Sequence, residues 1–99
     1  MGQKGGGEVS FEKELREIAL FHGVDAQIDQ TIEECAELIV ALRKLRRFGF
    51  TVEGSSAVAE EMADVRIMLD QLEFLLGETE LWREVKVRRE IDRIREAQQ

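Results

Sequence analysis

Hydrophobic residues recur every three or four positions along most of the chain, which is the spacing of one face of an α-helix. In the first such segment, Phe11, Leu15 and Ile18 follow this spacing. Alternating apolar and polar residues, the pattern of a half-buried strand, are too few to predict a sheet. The pattern therefore predicts four helices, over residues 11–22, 26–48, 57–76 and 80–97.

Residues that commonly begin and end helices stand at the borders of these segments. A side-chain oxygen at a helix start accepts a hydrogen bond from a free backbone N–H group, and glycine readily adopts the backbone conformation that ends a helix. The predicted N-caps are Ser10, Asp25, Ser55 or Ser56, and Thr79. The predicted terminating glycines are Gly23, Gly49 and Gly77.

Short connections between the predicted helices favour antiparallel neighbours. The predicted fold class is therefore all-α, an antiparallel four-helix bundle. The second and third helices are apolar over more than one face, and a chain of 99 residues has only a small core. We therefore expect the bundle to oligomerise through these core helices. Residues 1–9 are predicted to be a flexible glycine-rich tail, and residues 10–99 a single domain.

The composition disfavours some classes of binding partner and favours one cellular location. The formal net charge of −7 disfavours nucleic acid and anionic membranes as partners, because their phosphates attract lysine and arginine. A single cysteine excludes an intrachain disulfide and favours a reducing compartment. No apolar run approaches the length of about 18 residues that a membrane span requires. The expected location is the cytoplasm.

The second predicted helix carries three carboxylates in its middle, in the stretch EECAE at residues 33–37. On a helical wheel of about 100° per residue, Glu37 lies about 40° and Glu34 about 100° from Glu33. Apolar residues flank this acidic edge on the wheel. Acidic residues at this spacing are commonly a solvated helix face, and that interpretation remains open for the motif taken alone.

The third predicted helix repeats the arrangement in EEMAD, residues 60–64. Asp64 lies about 40° and Glu61 about 100° from Glu60 on the wheel. If the two helices are antiparallel neighbours, the two acidic edges can face each other. Converging carboxylates repel one another unless cations lie between them. All-oxygen ligands suit Mg²⁺, with Mn²⁺ as an alternative, and the Glu-x-x-His motif of di-iron bundles is absent from the sequence.

The two acidic motifs, EE-x-x-E followed by E-x-x-D, resemble the signature of the all-α, MazG-like nucleotide pyrophosphohydrolases. The surrounding IEECAELIVALRK and VAEEMADVRIMLDQLEFLLG are similar to the second and third core helices of that family. KVRREIDRI is similar to the K-x-x-R segment of its last helix. The resemblance covers residues 24–95.

This resemblance implies an enzyme that hydrolyses a nucleoside triphosphate between the α- and β-phosphates, releasing a nucleoside monophosphate and pyrophosphate. It implies Mg²⁺ as the cofactor and a homo-oligomer, either a dimer or a dimer of dimers. It also implies that one glutamate orients or deprotonates the attacking water. The catalytic and metal-binding residues that it implies are Glu33, Glu34, Glu37, Glu61 and Asp64.

Other candidate residues carry ordinary structural explanations as well. Lys86 and Arg89 resemble the phosphate-binding pair of the family, although they also fit a charged, solvated helix. Gln30, about one turn before the first motif, is the candidate for binding the nucleoside. Glu60 is better explained as an acidic residue of the first helical turn than as a ligand. Trp82 is expected in the core more than against a base.

The sequence leaves the base and the sugar of the substrate open. Within the enzyme class, dUTPase-like and phosphoribosyl-ATP pyrophosphohydrolases share a similar bundle and similar acidic motifs. Outside it, the chain could be a non-catalytic helical module whose acidic edges bind a basic protein.

Overall fold

The computed structural model describes residues 10–99, and every regular element in that range is a helix. The helices are α1 (Glu12–His22), α2 (Val24–Phe48), α3 (Val52–Leu76) and α4 (Glu80–Ala97). The predicted all-α class and the four helices are confirmed. The predicted tail at residues 1–9 lies outside the described residues. In the described part of the chain, no helix is both long and apolar enough to cross a membrane.

Glycine ends the first three helices, as predicted. Gly23, Gly49 and Gly77 have φ values of 88°, 95° and 136°, a region that side chains with a Cβ rarely enter. Each glycine N–H donates to a carbonyl of the preceding helical turn, at 2.9 to 3.0 Å. The hydrogen bond completes the last helical turn, and the positive φ of the glycine then ends the helix.

The predicted helix starts are less accurate. Thr51, and neither Ser55 nor Ser56, caps α3, because the Thr51 hydroxyl oxygen accepts a hydrogen bond from the Gly54 N–H at 2.9 Å. Helix α3 therefore includes Gly54, Ser55 and Ser56, which the sequence predicts to be part of the connector. The predicted starts of α1 and α2 are also wrong, because the N-cap positions are Phe11 and Gly23, whereas Ser10 and Asp25 were predicted.

Helices α2 and α3 pack against each other along their length, and α1 packs against both of them. Within residues 10–99, the buried apolar residues are Ala19, Val58 and Met68. At one end of the α2–α3 contact, a Cβ placed on Gly54 would lie 3.2 Å from Leu45 Cδ1, so this glycine permits a close helix approach. This small three-helix core positions the middle of α2 against the middle of α3.

Helix α4 packs against none of the other described helices, and all of its residues are exposed. The packed unit within one chain therefore has three helices where the sequence predicted four. Trp82 is 64% exposed, so its predicted place in the core is wrong for the single chain. The connector helps to keep α4 away from the other helices. The Thr79 N–H and hydroxyl both donate to the Glu73 carboxylate of α3, and the Thr79 side chain does not cap α4.

Much apolar surface stays uncovered on the packed helices as well. An apolar groove runs along α2 and α3, and its most exposed members are Ile32, Ile39 and Leu76, at 64%, 59% and 61%. Its other lining residues are Ile28, Thr31, Cys35, Ala36 and Leu72. Burying a large aliphatic side chain contributes about 1.5–3 kcal/mol, so a partner that covered this groove would stabilise the protein considerably.

Candidate metal centre

Three of the predicted ligands meet where the middle of α2 lies against α3. Glu34 of α2 and Glu61 and Asp64 of α3 each place a carboxylate oxygen within 4.8 Å of the other two. All three residues are half-buried. On a helical wheel Glu34 lies about 100° from Glu33, which turns it from the exposed edge of α2 toward α3. We call these three residues the carboxylate cluster.

Two oxygens of this cluster lack a hydrogen-bond partner. Glu34 Oε1 and Glu61 Oε1 are buried and receive no donor from the protein. The other oxygen of Glu34 is satisfied, because Gln30 Nε2 donates to Glu34 Oε2 at 2.6 Å and to Glu33 Oε1 at 3.2 Å. Buried polar atoms without partners are uncommon in folded proteins, and one explanation for them is an ion that belongs at the site.

The remaining two predicted ligands, Glu33 and Glu37, are exposed and stand beside the cluster. The pKa of Glu37 is raised above its usual value of 4.5, chiefly by repulsion from Glu34. Partial desolvation, then repulsion from Glu61 and Glu33, and a side-chain hydrogen bond with Glu61 in the protonated form, act in the same direction. The electrostatic field of the site therefore extends to Glu37 and favours the arrival of positive charge.

The donor set fits a hard divalent cation. Octahedral Mg²⁺ binds oxygens at about 2.1 Å, so two of its ligand atoms lie about 3 to 4.2 Å apart. The spacing of the cluster is close to this range and needs only small side-chain movements. The unpartnered Glu34 and Glu61 oxygens are available to such an ion. Glu34, Glu61 and Asp64 would hold it, with Glu37 next to it.

A groove of about 470 Å³ opens beside the cluster and provides room for a ligand. Its acidic residues are Glu33, Glu37 and Glu61, and Lys44 at the far end of α2 adds a positive charge to its lining. We call it the acidic groove. Its apolar walls are Ala36, Val40, Ala41, Gly54 and Ala57. Lys44 is not among the predicted site residues, although it shares the helix face of Glu33 and Glu37.

The other predicted site residues are distributed differently. Gln30 bonds to the glutamates of the motif, next to the cluster. Lys86 and Arg89 lie on α4, which contacts no other helix of the described chain, so they are not brought to the cluster. Glu60 is exposed and outside the cluster. Its first-turn explanation is wrong, because α3 already begins at Val52.

The burial of two amide side chains is not predicted by the sequence. Gln27 of α2 is 3% exposed and Gln71 of α3 is 2% exposed, and the Oε1 atom of each has no partner. Their positions follow the same interface as the cluster, because Gln27 is two turns before Glu34 and Gln71 is two turns after Asp64. The only sequence signal is this spacing, which an apolar-periodicity search ignores because glutamine counts as polar.

No protein-family description, no curated protein and no solved structure matches this chain. The resemblance to the MazG-like pyrophosphohydrolases therefore remains a prediction from the two acidic motifs.

Proposed function

We propose that this protein is a Mg²⁺-dependent nucleoside triphosphate pyrophosphohydrolase of the MazG-like type, with Mn²⁺ as an alternative ion. The observation that carries the proposal is the convergence of Glu34, Glu61 and Asp64 within 4.8 Å across two helices. The unpartnered oxygens of Glu34 and Glu61 support it further, since an ion would satisfy them. A solvated acidic face leaves its carboxylate oxygens in water, and these two are not.

In this proposal α2 and α3 run antiparallel. Two contacts support that direction, because Leu45 near the end of α2 approaches Gly54 near the start of α3, while Glu34 lies beside Asp64. Rigid helices then hold the carboxylates without a mobile loop, which suits a site that must keep its geometry through turnover.

The bound cation would neutralise the polyphosphate and lower the pKa of a coordinated water. Glu34, Glu61 and Asp64 are the proposed ligands. Glu37 is the proposed residue that accepts a hydrogen bond from the attacking water, and Glu33 continues the acidic wall of the groove. We assign Glu37 this role because of its position, since a cation beside Glu34 and Glu61 would cancel the repulsion that raises its pKa.

Hydrolysis of the α–β phosphoanhydride adds one water and yields a nucleoside monophosphate and pyrophosphate. The acidic groove is where the polyphosphate would lie, with Lys44 at one end to bind phosphate oxygens. Gln30 orients Glu33 and Glu34 through its amide, so its proposed role moves from the nucleoside to the carboxylates. The base and the sugar stay open, including the dUTPase-like and phosphoribosyl-ATP alternatives.

The proposed active form is a homo-oligomer, a dimer or a dimer of dimers. The support is the uncovered apolar groove of α2 and α3, with Ile32 and Ile39 more than half exposed. Contiguous apolar patches of this kind commonly mark protein interfaces. Light scattering should give the mass of at least two chains, and a monomer at micromolar concentration would contradict the oligomer. The proposed location is the cytoplasm, consistent with the free thiol of Cys35.

The test of the activity is a screen of canonical and damaged nucleoside triphosphates, phosphoribosyl-ATP included, with Mg²⁺ present. We expect monophosphate and pyrophosphate in equal amounts from at least one substrate. Glu61→Gln should abolish the activity, whereas Glu60→Gln, which makes the same chemical change one residue away, should keep it. Release of orthophosphate, or equal activity in both variants, would contradict the assignment.

A non-catalytic interaction module is the second candidate, and the exposed apolar residues of α4 favour it. Such a module should be inactive on every nucleotide and should gain no thermal stability from Mg²⁺. The enzyme should hydrolyse at least one nucleotide and should gain thermal stability from Mg²⁺.

A further inference from the structure

The connector between α2 and α3 exposes large apolar side chains at the end of this helix pair. Phe48, Phe50 and Val52 are 69%, 83% and 83% exposed, although all three lie within residues 48–52. They do not hold the two helices together, because the close approach at this end is made by Leu45 and Gly54. Exposed apolar residues that cluster in this way commonly mark an interaction surface.

The same segment concentrates positive charge in an acidic chain. Residues 43–53 hold four of the 14 lysine and arginine residues and one of the 21 acidic residues. This segment, which we call the basic tip, therefore has a net charge of +3, and the rest of the chain has −10. Arg43, Arg46 and Arg47 are exposed and make no ion pair within residues 10–99. Lys44, the fourth cation, lines the acidic groove.

A local explanation accounts for the cations of the basic tip but not for its phenylalanines. Cationic side chains near the end of α2 are favoured by the partial negative charge of a helix carboxyl terminus. This effect gives no reason to expose large apolar side chains beside them. Arg47 Cζ lies 5.7 Å from the centroid of the Phe48 ring, and this cation–π contact still leaves Phe48 69% exposed. The basic tip is therefore complementary to a partner that is both anionic and apolar.

The basic tip lies far from the other packed parts of the chain. Arg16 Cζ of α1 lies 5.0 Å from the centroid of the Phe74 ring, which places α1 near the other end of α3. At 1.5 Å per residue, Phe74 is about 33 Å along α3 from Val52. The apolar groove proposed for the oligomer comes no closer along α2 than Ile39, about 13 Å before Phe48. An oligomer built through that groove therefore leaves the basic tip uncovered.

We propose that the basic tip docks on the surface of an anionic membrane. Its three exposed apolar side chains enter the boundary between headgroups and acyl chains, and its three arginines bind lipid phosphates. Apolar and cationic side chains together are what peripheral membrane attachment requires. The attachment is superficial, since no helix within residues 10–99 is both long and apolar enough to cross a membrane.

The dimensions of the headgroup layer fit this arrangement. Each polar layer of a bilayer is about 5–8 Å thick. Along α2, Arg43 lies about 7.5 Å and Arg46 about 3 Å before Phe48. Arginine has a long apolar stem that lets its charged end reach the polar layer from a range of depths. The guanidinium groups can therefore bind phosphates while the phenyl rings lie deeper.

The net charge of the chain disfavours an anionic membrane, but the charge is unevenly distributed. Glu53 is the only acidic residue between Glu37 and Glu60. In the carboxylate cluster, Glu34 lies about 21 Å before Phe48, and Glu61 about 14 Å beyond Val52. The Debye length at physiological ionic strength is about 8 Å, so salt screens much of the repulsion from these carboxylates. The membrane surface therefore interacts mainly with the positive charge of the basic tip.

Single-stranded nucleic acid is a less suitable partner for the basic tip. Proteins that bind it place aromatic rings in a basic groove that follows the nucleic-acid backbone. Phe50 is 83% exposed, so no wall of the described chain encloses its ring as a groove would. Val52 is equally exposed and offers no ring on which a base can stack.

The test is binding of the whole protein to lipid vesicles, measured by co-sedimentation. We expect binding to phosphatidylcholine vesicles that contain about 30% phosphatidylglycerol, and at least tenfold weaker binding to phosphatidylcholine alone, because the cations need an anionic surface. Phe50→Ser should weaken the binding about tenfold, because it removes a phenyl ring from the apolar boundary. Phe21→Ser makes the same change in α1 at a phenylalanine of similar exposure, 82%, and should bind as the wild type does.

The contribution of the arginines is tested separately. Arg47→Gln should weaken the binding about fivefold, and added salt should weaken the binding of the wild type. Arg66→Gln removes an equal charge from the exposed surface of α3 and should have no effect. Absence of binding to the anionic vesicles, equal binding to both kinds of vesicle, or equal binding by Phe50→Ser and Phe21→Ser would each overturn the proposal.

Two further measurements would identify a different partner. If the wild type binds a single-stranded oligonucleotide but no vesicle, and Phe50→Ser loses the oligonucleotide, the basic tip binds nucleic acid. If Phe50→Ser changes the mass in light scattering from an oligomer to a monomer, the basic tip is an interface between copies. Either result overturns membrane docking. None of these measurements uses nucleotide hydrolysis, so the outcome is independent of the proposed enzymatic function.

Discussion

Glu34 of α2 and Asp64 of α3 bring carboxylate oxygens within 4.8 Å of each other, with no cation of the protein paired to either one among the described residues. Two carboxylates this close repel each other. Glu34 is also the main cause of the raised pKa of the neighbouring Glu37. Folding alone gives no reason to place like charges together in a half-buried interface. A cation bound between the two carboxylates would remove this repulsion.

Metal binding should raise the thermal stability of the protein. A ligand that binds only the folded state adds about 2.7 kcal/mol when its concentration is 100 times Kd. We expect Mg²⁺ to raise the thermal midpoint of the wild type in differential scanning fluorimetry. Glu61→Gln should lower the affinity at least tenfold, which is about 1.4 kcal/mol, and Glu60→Gln should bind as the wild type does. Equal shifts in the two variants would place the ion elsewhere.

The metal-free protein should lose stability as the pH rises past the ordinary carboxylate range. The pKa of Glu37 is raised in the folded state, chiefly by Glu34, so the folded state holds this proton more tightly than the unfolded state. The contribution is present below the unfolded value of 4.5 and is lost as the pH rises through the raised folded value.

Urea titrations in EDTA at pH 4.5 and pH 7.5 would measure this effect. We expect the unfolding midpoint to fall less with pH in Glu37→Gln than in the wild type. Glu60→Gln removes an equal charge outside the cluster and should keep the wild-type dependence. Indistinguishable pH profiles for Glu37→Gln and the wild type would show that the repulsion is screened by water.

Gln71 should be replaceable with a gain in stability. Its side chain is 2% exposed and its Oε1 atom has no partner, and such an atom costs about 1–3 kcal/mol. Gln71→Met keeps the length of the side chain without the polar atom. We expect the free energy of unfolding in urea to rise by about 1 kcal/mol. A loss of stability would mean that a buried water satisfies the amide in solution.

Gln30→Met is the matched control for that substitution. Gln30 is exposed and donates hydrogen bonds to Glu33 and Glu34. The same chemical change should therefore leave stability unchanged or lower it. A gain of equal size in both variants would show a general benefit of methionine in these helices.

Thr51 should matter more than the serines that follow it. Its hydroxyl oxygen accepts the Gly54 N–H at 2.9 Å, and losing an N-cap of this kind costs about 1 kcal/mol. We expect Thr51→Ala to lower the free energy of unfolding by that amount, measured by circular dichroism in urea. Ser55→Ala and Ser56→Ala should change it by less than about 0.5 kcal/mol. A larger loss at Ser56 would move the start of α3 to the predicted position.

Apolar periodicity predicted the four helices, and glycine predicted where three of them end. The start of α3 could not be read in the same way. Gly54 and the two serines after it favour a loop when taken alone, but Thr51 satisfies a free N–H of the first turn and α2 covers Gly54 through Leu45. Both effects depend on contacts that a local pattern does not contain.

The candidate site was likewise predicted only in part from the sequence. Spacing predicted that carboxylates of α2 and α3 would face each other, and Glu34, Glu61 and Asp64 do. The inward turn of Glu34, with Glu33 left at the surface, depends on how α2 is rotated against α3. The position of α4 could not be predicted from the sequence, because apolar residues on a helix indicate that it needs a partner surface but not where that surface lies.

The cluster lies about 13 Å or more from every end of α2 and α3, at 1.5 Å per residue. Helix ends fray, and the amide protons there exchange with solvent through small local openings. Exchange around Glu34 and Glu61 requires helical hydrogen bonds to break far from any helix end, which is rarer than fraying. Amide protons near the carboxylates should therefore be among the slowest to exchange in the molecule. The site then exists whenever the chain is folded, and fluctuations of the helix ends do not interrupt it.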